Sequence, residues 1–270
     1  MRIIPKIDIK GPNLVKGIHL EGLRAFGNPK KFVQKYYKDG ADEIIIHDIV
    51  ASLYERNNLY ELISSSSKNM FVPLTAGGGV RGIKDVRQLL LSGADRVFLN
   101  SAAIKNPTVL KKLINEFGSS TIVVSIEVAK VENYFCFKDF GREKTNLKFQ
   151  DWLKKVQDFG PGEIIVTSID RDGTKKGFDL RLTEICSKIL KIPFMINGGF
   201  GQISHIKQLL NAGKPSAIVI GGALHYKAIE SLKSDLELSE GNYEYLRAQS
   251  QFNSQDDLIK KIKKCIKKYV

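Results

Sequence analysis

Short β-branched runs recur along the chain: RIIPKIDI (2–9), DEIIIHDI (42–49), FVPLTAGG (71–78), DRVFLN (95–100), TIVVSIEV (121–128), GEIIVTSI (162–169), IPFMINGG (192–199) and SAIVIGG (216–222). Between them, apolar positions repeat at three and four residues, as in IKDVRQLLLSG (83–93) and ISHIKQLLNAG (203–213), which predicts amphipathic helices ending on Gly93 and Gly213 as C-cap glycines. Eight strands alternating with helices predict parallel pairing through crossovers, and eight such units imply a (β/α)8 barrel. An open doubly wound sheet is the alternative, and it fits an even strand count less well. At the C-terminus, Leu258, Ile259, Ile262 and Ile266 fall at helical spacing with lysines between, which predicts an amphipathic closing helix.

The pattern is also duplicated. GADEIII (40–46) falls on GPGEIIV (160–166) with an offset of 120, and the same offset takes Gly78 and Gly79 to Gly198 and Gly199, Gly93 to Gly213, and Ala103 to Ala223. The barrel is therefore read as two half-barrels.

Composition narrows the function classes. With 270 residues, 43% of them hydrophobic, the chain can fill one large core. The net charge of +13 would suit a polyanion, so a nucleic-acid partner has to be weighed. The excess is spread over lysine-rich helix faces, however, and no zinc-ligand spacing or RNA-binding aromatic signature accompanies it. Phosphorylated small molecules are the better anionic partners. Cys136, Cys186 and Cys265 form no metal or redox motif, and their odd number argues against a disulfide framework. No metal site and no cofactor are expected. The N-terminus enters a strand directly, with no signal peptide or membrane-spanning run, so a cytoplasmic location is expected.

Barrel active sites lie at the C-terminal ends of the strands. Glycines there let an oxyanion reach backbone N–H groups, and helix N-termini add partial positive charge. The first half offers Gly78, Gly79, Asn100 and Ser101; the second offers Gly173, Gly199, Gly221 and Gly222. Two such sets across one mouth predict a substrate with two phosphates. Asp8 ends the first predicted strand and Glu127 the fifth, so they face each other and could serve as general acid and base. Asp48 and Asp172 also fall at strand ends, where they could position hydroxyls or order loops. Lys16 lies in a polar stretch after the first strand and could close over an anion. At the opposite end, Arg2, Glu43, Arg96 and Glu163 start the first, second, fourth and sixth strands. They could form a ring of alternating sign, either as a stabilising base or as a gate over an axial passage.

The order IDIKG and LVKG (7–17), GNPKKF (27–32), DEIIIHDI, TAGGGV (75–80), GADRVFLNSAAIKNP (93–107), GEIIVTSIDRDGTKKGFD (162–179) and INGGFG (196–201) resembles the cyclase-subunit family of imidazole glycerol phosphate synthase, the HisF family, over roughly residues 1–228. TSIDRDGTKKG (167–177) is the most specific element. The resemblance implies a barrel that takes ammonia from a glutaminase subunit docked at its base. The ammonia would pass the charged gate and meet a bisphosphorylated ribulosyl-formimino-carboxamide ribonucleotide at the top. It also implies Asp8 as the first catalytic carboxylate and Lys16 as a mobile-loop lysine. One phosphate site would comprise Gly79, Asn100 and Ser101, and the other Gly173, Gly199 and Gly222. Arg2, Glu43, Arg96 and Glu163 would form the gate, and Asp95 would face the glutaminase.

The chain departs from that pattern at several positions. Glu127 stands where the family has its second catalytic aspartate, and Arg96 where lysine is usual. Lys6, two residues before Asp8, must turn into the same interior, and a buried lysine needs a partner. Phe98 replaces a small axial residue and Asn197 a serine near the second phosphate site. The chain is read as one barrel domain over 1–270, with an inserted segment at about 232–254 before the last helix. These departures keep a second role open, that of a relative delivering ammonia to a sugar-amidating enzyme of glycan synthesis. A non-enzymatic anion or nucleic-acid binder is the remote third reading.

Overall fold

The computed structural model describes residues 1–51, 59–232, 243–248 and 257–269. Its twelve strands, numbered in chain order, are β1 (Arg2–Lys10), β2 (Asn13–Ile18), β3 (Glu21–Gly27), β4 (Ile44–Asp48), β5 (Leu74–Gly77), β6 (Arg96–Leu99), β7 (Ile122–Val131), β8 (Asn133–Lys138), β9 (Glu143–Lys148), β10 (Glu163–Ser168), β11 (Phe194–Asn197) and β12 (Ala217–Ile220). Strands β1, β4, β5, β6, β7, β10, β11 and β12 pair in parallel in that order. The parallel pairing of Arg2–Pro5 with Ala217–Ile220 joins the last to the first. The sheet therefore closes into a (β/α)8 barrel, and an open doubly wound sheet is excluded.

Strand period two sorts the barrel interior into layers. The middle one is apolar: Ile4, Ile45, Phe98, Val123, Ile165, Met195, Ala217 and Val219 form one buried cluster. Two residues earlier on their strands stand Arg2, Glu43, Arg96 and Glu163, at the base. Two residues later stand Lys6, His47, Ser125, Thr167 and Asn197, all buried beneath the mouth. One more step along β1 and β7 reaches Asp8 and Glu127. The larger cluster fills the space between the strands and the surrounding helices. The closing helix Leu258–Ile266 buries Leu258, Ile259, Ile262 and Ile266, and its Lys263 pairs with Asp42 at 2.5 Å.

Four strands were not foreseen. Strands β2 and β3 form an antiparallel hairpin extending β1, and β8 and β9 form another extending β7. Each tip holds two consecutive non-glycine residues in the left-handed region: His19 (φ 55°) and Leu20 (φ 62°), and, 120 residues on, Asp139 (φ 52°) and Phe140 (φ 58°). Leu20 and Phe140 share a small cluster with Val15, Ile49, Ala129 and Ile169 that roofs the mouth. The duplication thus extends to a pair of arms.

The cap glycines need one correction. Ser92 caps the helix Ile83–Leu91, with Gly93 (φ 106°) just beyond it, whereas Gly213 caps Ser204–Ala212 with extended backbone, where a β-carbon would run into the Ser187 hydroxyl. Of the segment 232–254, the helix Tyr243–Ala248 is described and buries Leu246; residues 233–242 and 249–254 lie outside the described residues.

Candidate active site

The mouth is built on Asp8. Its carboxylate is 1% exposed, with Lys6 Nζ at 2.8 Å from Oδ1, His47 Nδ1 at 3.3 Å from Oδ1 and Lys16 Nζ at 3.5 Å from Oδ2. Burial alone would raise its pKa, but the charges of Lys6 and Lys16 outweigh that and hold the carboxyl well below its ordinary value. Glu127, buried on β7, feels the charge of Lys6 and accepts the Gly141 N–H at 2.9 Å. There burial dominates and pushes the carboxyl up to about 7. The same environment drives the two carboxyls apart, as an acid and base pair requires.

Lys16 is placed differently from the expectation of an open polar loop. It lies on strand β2, buried, with Nζ 2.5 Å from Asp172 Oδ2 and 2.9 Å from Oδ1. Burial lowers its pKa, but Asp172 and Asp8 more than compensate and raise it. The physical reason is topological. The polar stretch after β1 folds back as a hairpin, so the side chain points into the mouth. Asp172 lies four residues beyond the end of β10 and holds that hairpin. Asp48 ends β4 and accepts the N–H groups of Val50 and Ala51, each at 3.0 Å, ordering its own loop.

The two glycine sets line two depressions of the mouth. The first, about 270 Å³, is lined by Gly78, Gly79, Asn100 and Ser101, together with Arg81 and Lys105, which sequence reasoning missed. Gly78 has φ 110°, and a β-carbon there would run into the Asp48 carbonyl, so the fold itself requires glycine. Hairpin β8–β9 reaches over this depression: Asn100 Nδ2 donates to the Phe137 carbonyl at 3.1 Å, and the Asp139 N–H donates to Ser101 Oγ at 2.9 Å. The second, smaller depression is lined by Asp172, Gly173, Asn197, Gly199, Gly221 and Gly222. At Gly221 and Gly222 a methyl group would meet nothing nearer than 3.5 Å. The fold leaves that room, and the N-terminus of helix Gly222–Ser231 opens onto it.

His47 and Phe140 were also missed. His47 packs edge-on against Phe98 at 5.0 Å and Phe140 at 5.5 Å between ring centroids, and burial with the Lys6 charge pushes it down to about 4. The strand period from Glu43 through Ile45 would have found His47; Phe140 sits on an unforeseen hairpin.

At the base, each arginine reaches both glutamates. Arg2 pairs with Glu43 and Glu163, and Arg96 pairs with Glu163 at 2.8 Å and Glu43 at 3.4 Å. Thr75 donates to Glu43 at 2.5 Å, and Ser216 donates to Glu163. Burial raises Glu163, but its bonds to Arg2 and Ser216 and the charges of both arginines leave it lowered. Asp95 is exposed beside the ring, and its Oδ2 accepts the Leu74 N–H at 2.8 Å. Among the described residues no cluster of His, Cys, Asp and Glu could hold a metal, and no helix is long and apolar enough to cross a membrane.

Residues 2–230 match the profile of the family described as histidine biosynthesis protein. The chain is 48% identical over 205 residues to the imidazole glycerol phosphate synthase subunit HisF of Legionella pneumophila, covering 75% of this chain and 97% of that one. It is 39% identical over 255 residues to the subunit of the same name from Methanocaldococcus jannaschii, covering 86% and 94%, and 40% identical over 243 residues to that of Hydrogenobaculum sp., covering 89% and 96%. With a closed barrel and a charged mouth matched along nearly its whole length, the chain belongs to the histidine biosynthesis protein family, among its HisF subunits.

Proposed function

We propose that the protein is the cyclase subunit of imidazole glycerol phosphate synthase, acting in the cytoplasm as one barrel domain. It uses ammonia from a glutaminase subunit at the barrel base to convert the bisphosphorylated ribulosyl-formimino-carboxamide ribonucleotide into imidazole glycerol phosphate and aminoimidazole carboxamide ribonucleotide. The observation that carries this reading is the Asp8 and Glu127 pair, buried in one mouth between two glycine-lined depressions and shifted in opposite directions. The phosphates would rest one in each depression, near Gly79, Asn100 and Ser101 and near Gly173, Gly199 and Gly222. That span would set the reacting carbons over the carboxyls. Asp8, ionised, takes a proton from the attacking nitrogen as its bond to carbon forms. Glu127, protonated, gives one to the departing group as its bond to carbon breaks, and a proton returned through solvent from Asp8 to Glu127 resets the pair.

Turnover with added ammonium tests this directly. Asp8→Asn should lower it by at least about a hundredfold, the usual size of an acid–base contribution. Full activity in that variant would overturn the assignment. Glu127, standing where the family has its second catalytic aspartate, favours a second reading, in which the barrel passes ammonia to a sugar-amidating enzyme without cyclising anything itself. A wild type that binds the bisphosphate but shows no turnover, with activity restored by Glu127→Asp combined with Lys6→Cys, would establish that reading instead.

A further inference from the structure

Lys6 is the one cation on β1 that enters the polar layer beneath the mouth, and its surroundings are dry. Its side chain is 8% exposed, its Nζ lies 2.8 Å from Asp8 Oδ1, and the Phe140 ring sits 5.6 Å from it. His47, whose ring packs on both Phe98 and Phe140, stands beside it. Phe98 fits only because residue 77 is glycine: a β-carbon there would lie 2.6 Å from the Phe98 ring. In such a cage a unit charge acts on its neighbours through little water, so a fixed ammonium exerts far more influence than one at the surface.

The other titratable groups facing this point are Asp8 on β1, Lys16 on β2, His47 on β4, Glu127 on β7, Asp172 after β10, and His225 on the helix Gly222–Ser231, which burial and the Lys16 charge push down to about 3 and so keep neutral. Lys16 is committed to Asp172 at 2.5 Å and approaches only the far oxygen of Asp8. His47 is held neutral by burial and by Lys6. Lys6 is thus the cation that acts on both Asp8 and Glu127. It touches one and only faces the other.

On this basis, and resting on the cyclase reading, we propose that Lys6 is a positioning residue that divides the proton-transfer roles, holding Asp8 as the anionic base and leaving Glu127 as the acid. Contact with Lys6 favours the ionised form of Asp8 strongly. Glu127, with no ion-pair partner among the described residues, keeps its proton because burial prevails. A neutral residue at position 6 would let Asp8 rise further than Glu127 and narrow the gap that divides their roles.

The test compares Lys6→Met, which removes the charge at similar length, with Lys6→Arg, which keeps it. The readout is the pH profile of ammonia-dependent kcat/KM. Asp8 must be ionised and Glu127 protonated, so in Lys6→Met the acid limb, set by Asp8, should move to higher pH by about 1–3 units for loss of an adjacent opposite charge, and the alkaline limb, set by Glu127, should move the same way by less. Lys6→Arg should keep the limbs near their wild-type positions. A Lys6→Met enzyme with unmoved limbs, whatever its rate, would overturn the proposal, because a merely structural lysine lowers activity without shifting them.

Carboxyl carbon NMR of the protein labelled at Asp and Glu supplies a readout independent of turnover and of the folding of Lys6→Met. In wild type and in Lys6→Arg, Asp8 should stay ionised well below the usual carboxylate range while Glu127 titrates near 7. An ordinary Asp8 titration would overturn the proposal even if Lys6→Met could not be made. Absence of wild-type turnover with the NMR pattern intact would instead defeat the cyclase reading.

Discussion

Lys16 and Asp172, 156 residues apart, form a buried ion pair at 2.5 Å that fastens hairpin β2–β3 to the turn after β10. The hairpin tip is fixed there as well, through the His19 N–H to the Asp172 carbonyl at 2.9 Å. Strands from opposite halves of the duplication are therefore locked together over the mouth by one pair of charges.

Breaking that pair from one side should be costly, because it leaves a buried charge uncompensated, typically about 3–5 kcal/mol. Asp172→Ala should lower the unfolding free energy and raise hydrogen exchange across residues 13–27. The double variant Lys16→Met, Asp172→Leu should recover part of the stability but not the activity. A double variant no more stable than the single would show that hairpin packing, not the pair, carries the cost.

The glycines of the two depressions should respond in opposite ways. Gly78→Ala should destabilise the fold, since position 78 has φ 110° and no room for a β-carbon. Gly221→Ala should fold with near-native stability, because its methyl meets nothing closer than 3.5 Å. That methyl would occupy space offered to an anion, so any thermal stabilisation by inorganic phosphate should be smaller in Gly221→Ala than in wild type, with the first depression left to bind. Thermal melts across a phosphate series, read for both variants, check the contrast.

Glu127 makes stability depend on pH in a defined direction. Its folded pKa, about 7, is raised above the ordinary 4.5, so its contribution is fully present below pH 4.5 and is lost as pH rises through 7. The loss is on the order of 3 kcal/mol. Asp8, lowered by Lys6 and Lys16, acts in the opposite sense: its contribution is present above pH 4 and fades as pH falls. Glu127→Gln should abolish the alkaline decline in urea-unfolding free energy between pH 5 and 8. An unchanged slope would mean that other groups set it.

At the base, Asp95→Asn keeps an acceptor for the Leu74 N–H and removes only the charge. Glutamine-dependent turnover with a glutaminase partner should fall, while turnover with added ammonium stays near wild type. Equal loss with both nitrogen sources would mark Asp95 as structural.

What the sequence determined by itself was the barrel and the positions of its charged groups. β-Branched runs at regular spacing, with helical periods between, dictate parallel crossovers. Period two then carries Arg2, Ile4, Lys6 and Asp8 to one interior line, and the 120-residue offset sets a second half opposite the first. All of this is local and periodic. The hairpins were hidden because NLVKGI and EGLRAFG alternate weakly, and both tips use non-glycine residues in a conformation that no turn motif announces. Lys16 therefore read as a loop lysine, though the hairpin buries it. The balance of the carboxyls was likewise decided in three dimensions. Asp8 and Glu127 occupy corresponding places on β1 and β7, each short of where its strand runs on into a hairpin, yet one touches a lysine and the other does not. Distance and burial, which fold with the chain and are not written along it, turn two similar residues into opposite partners.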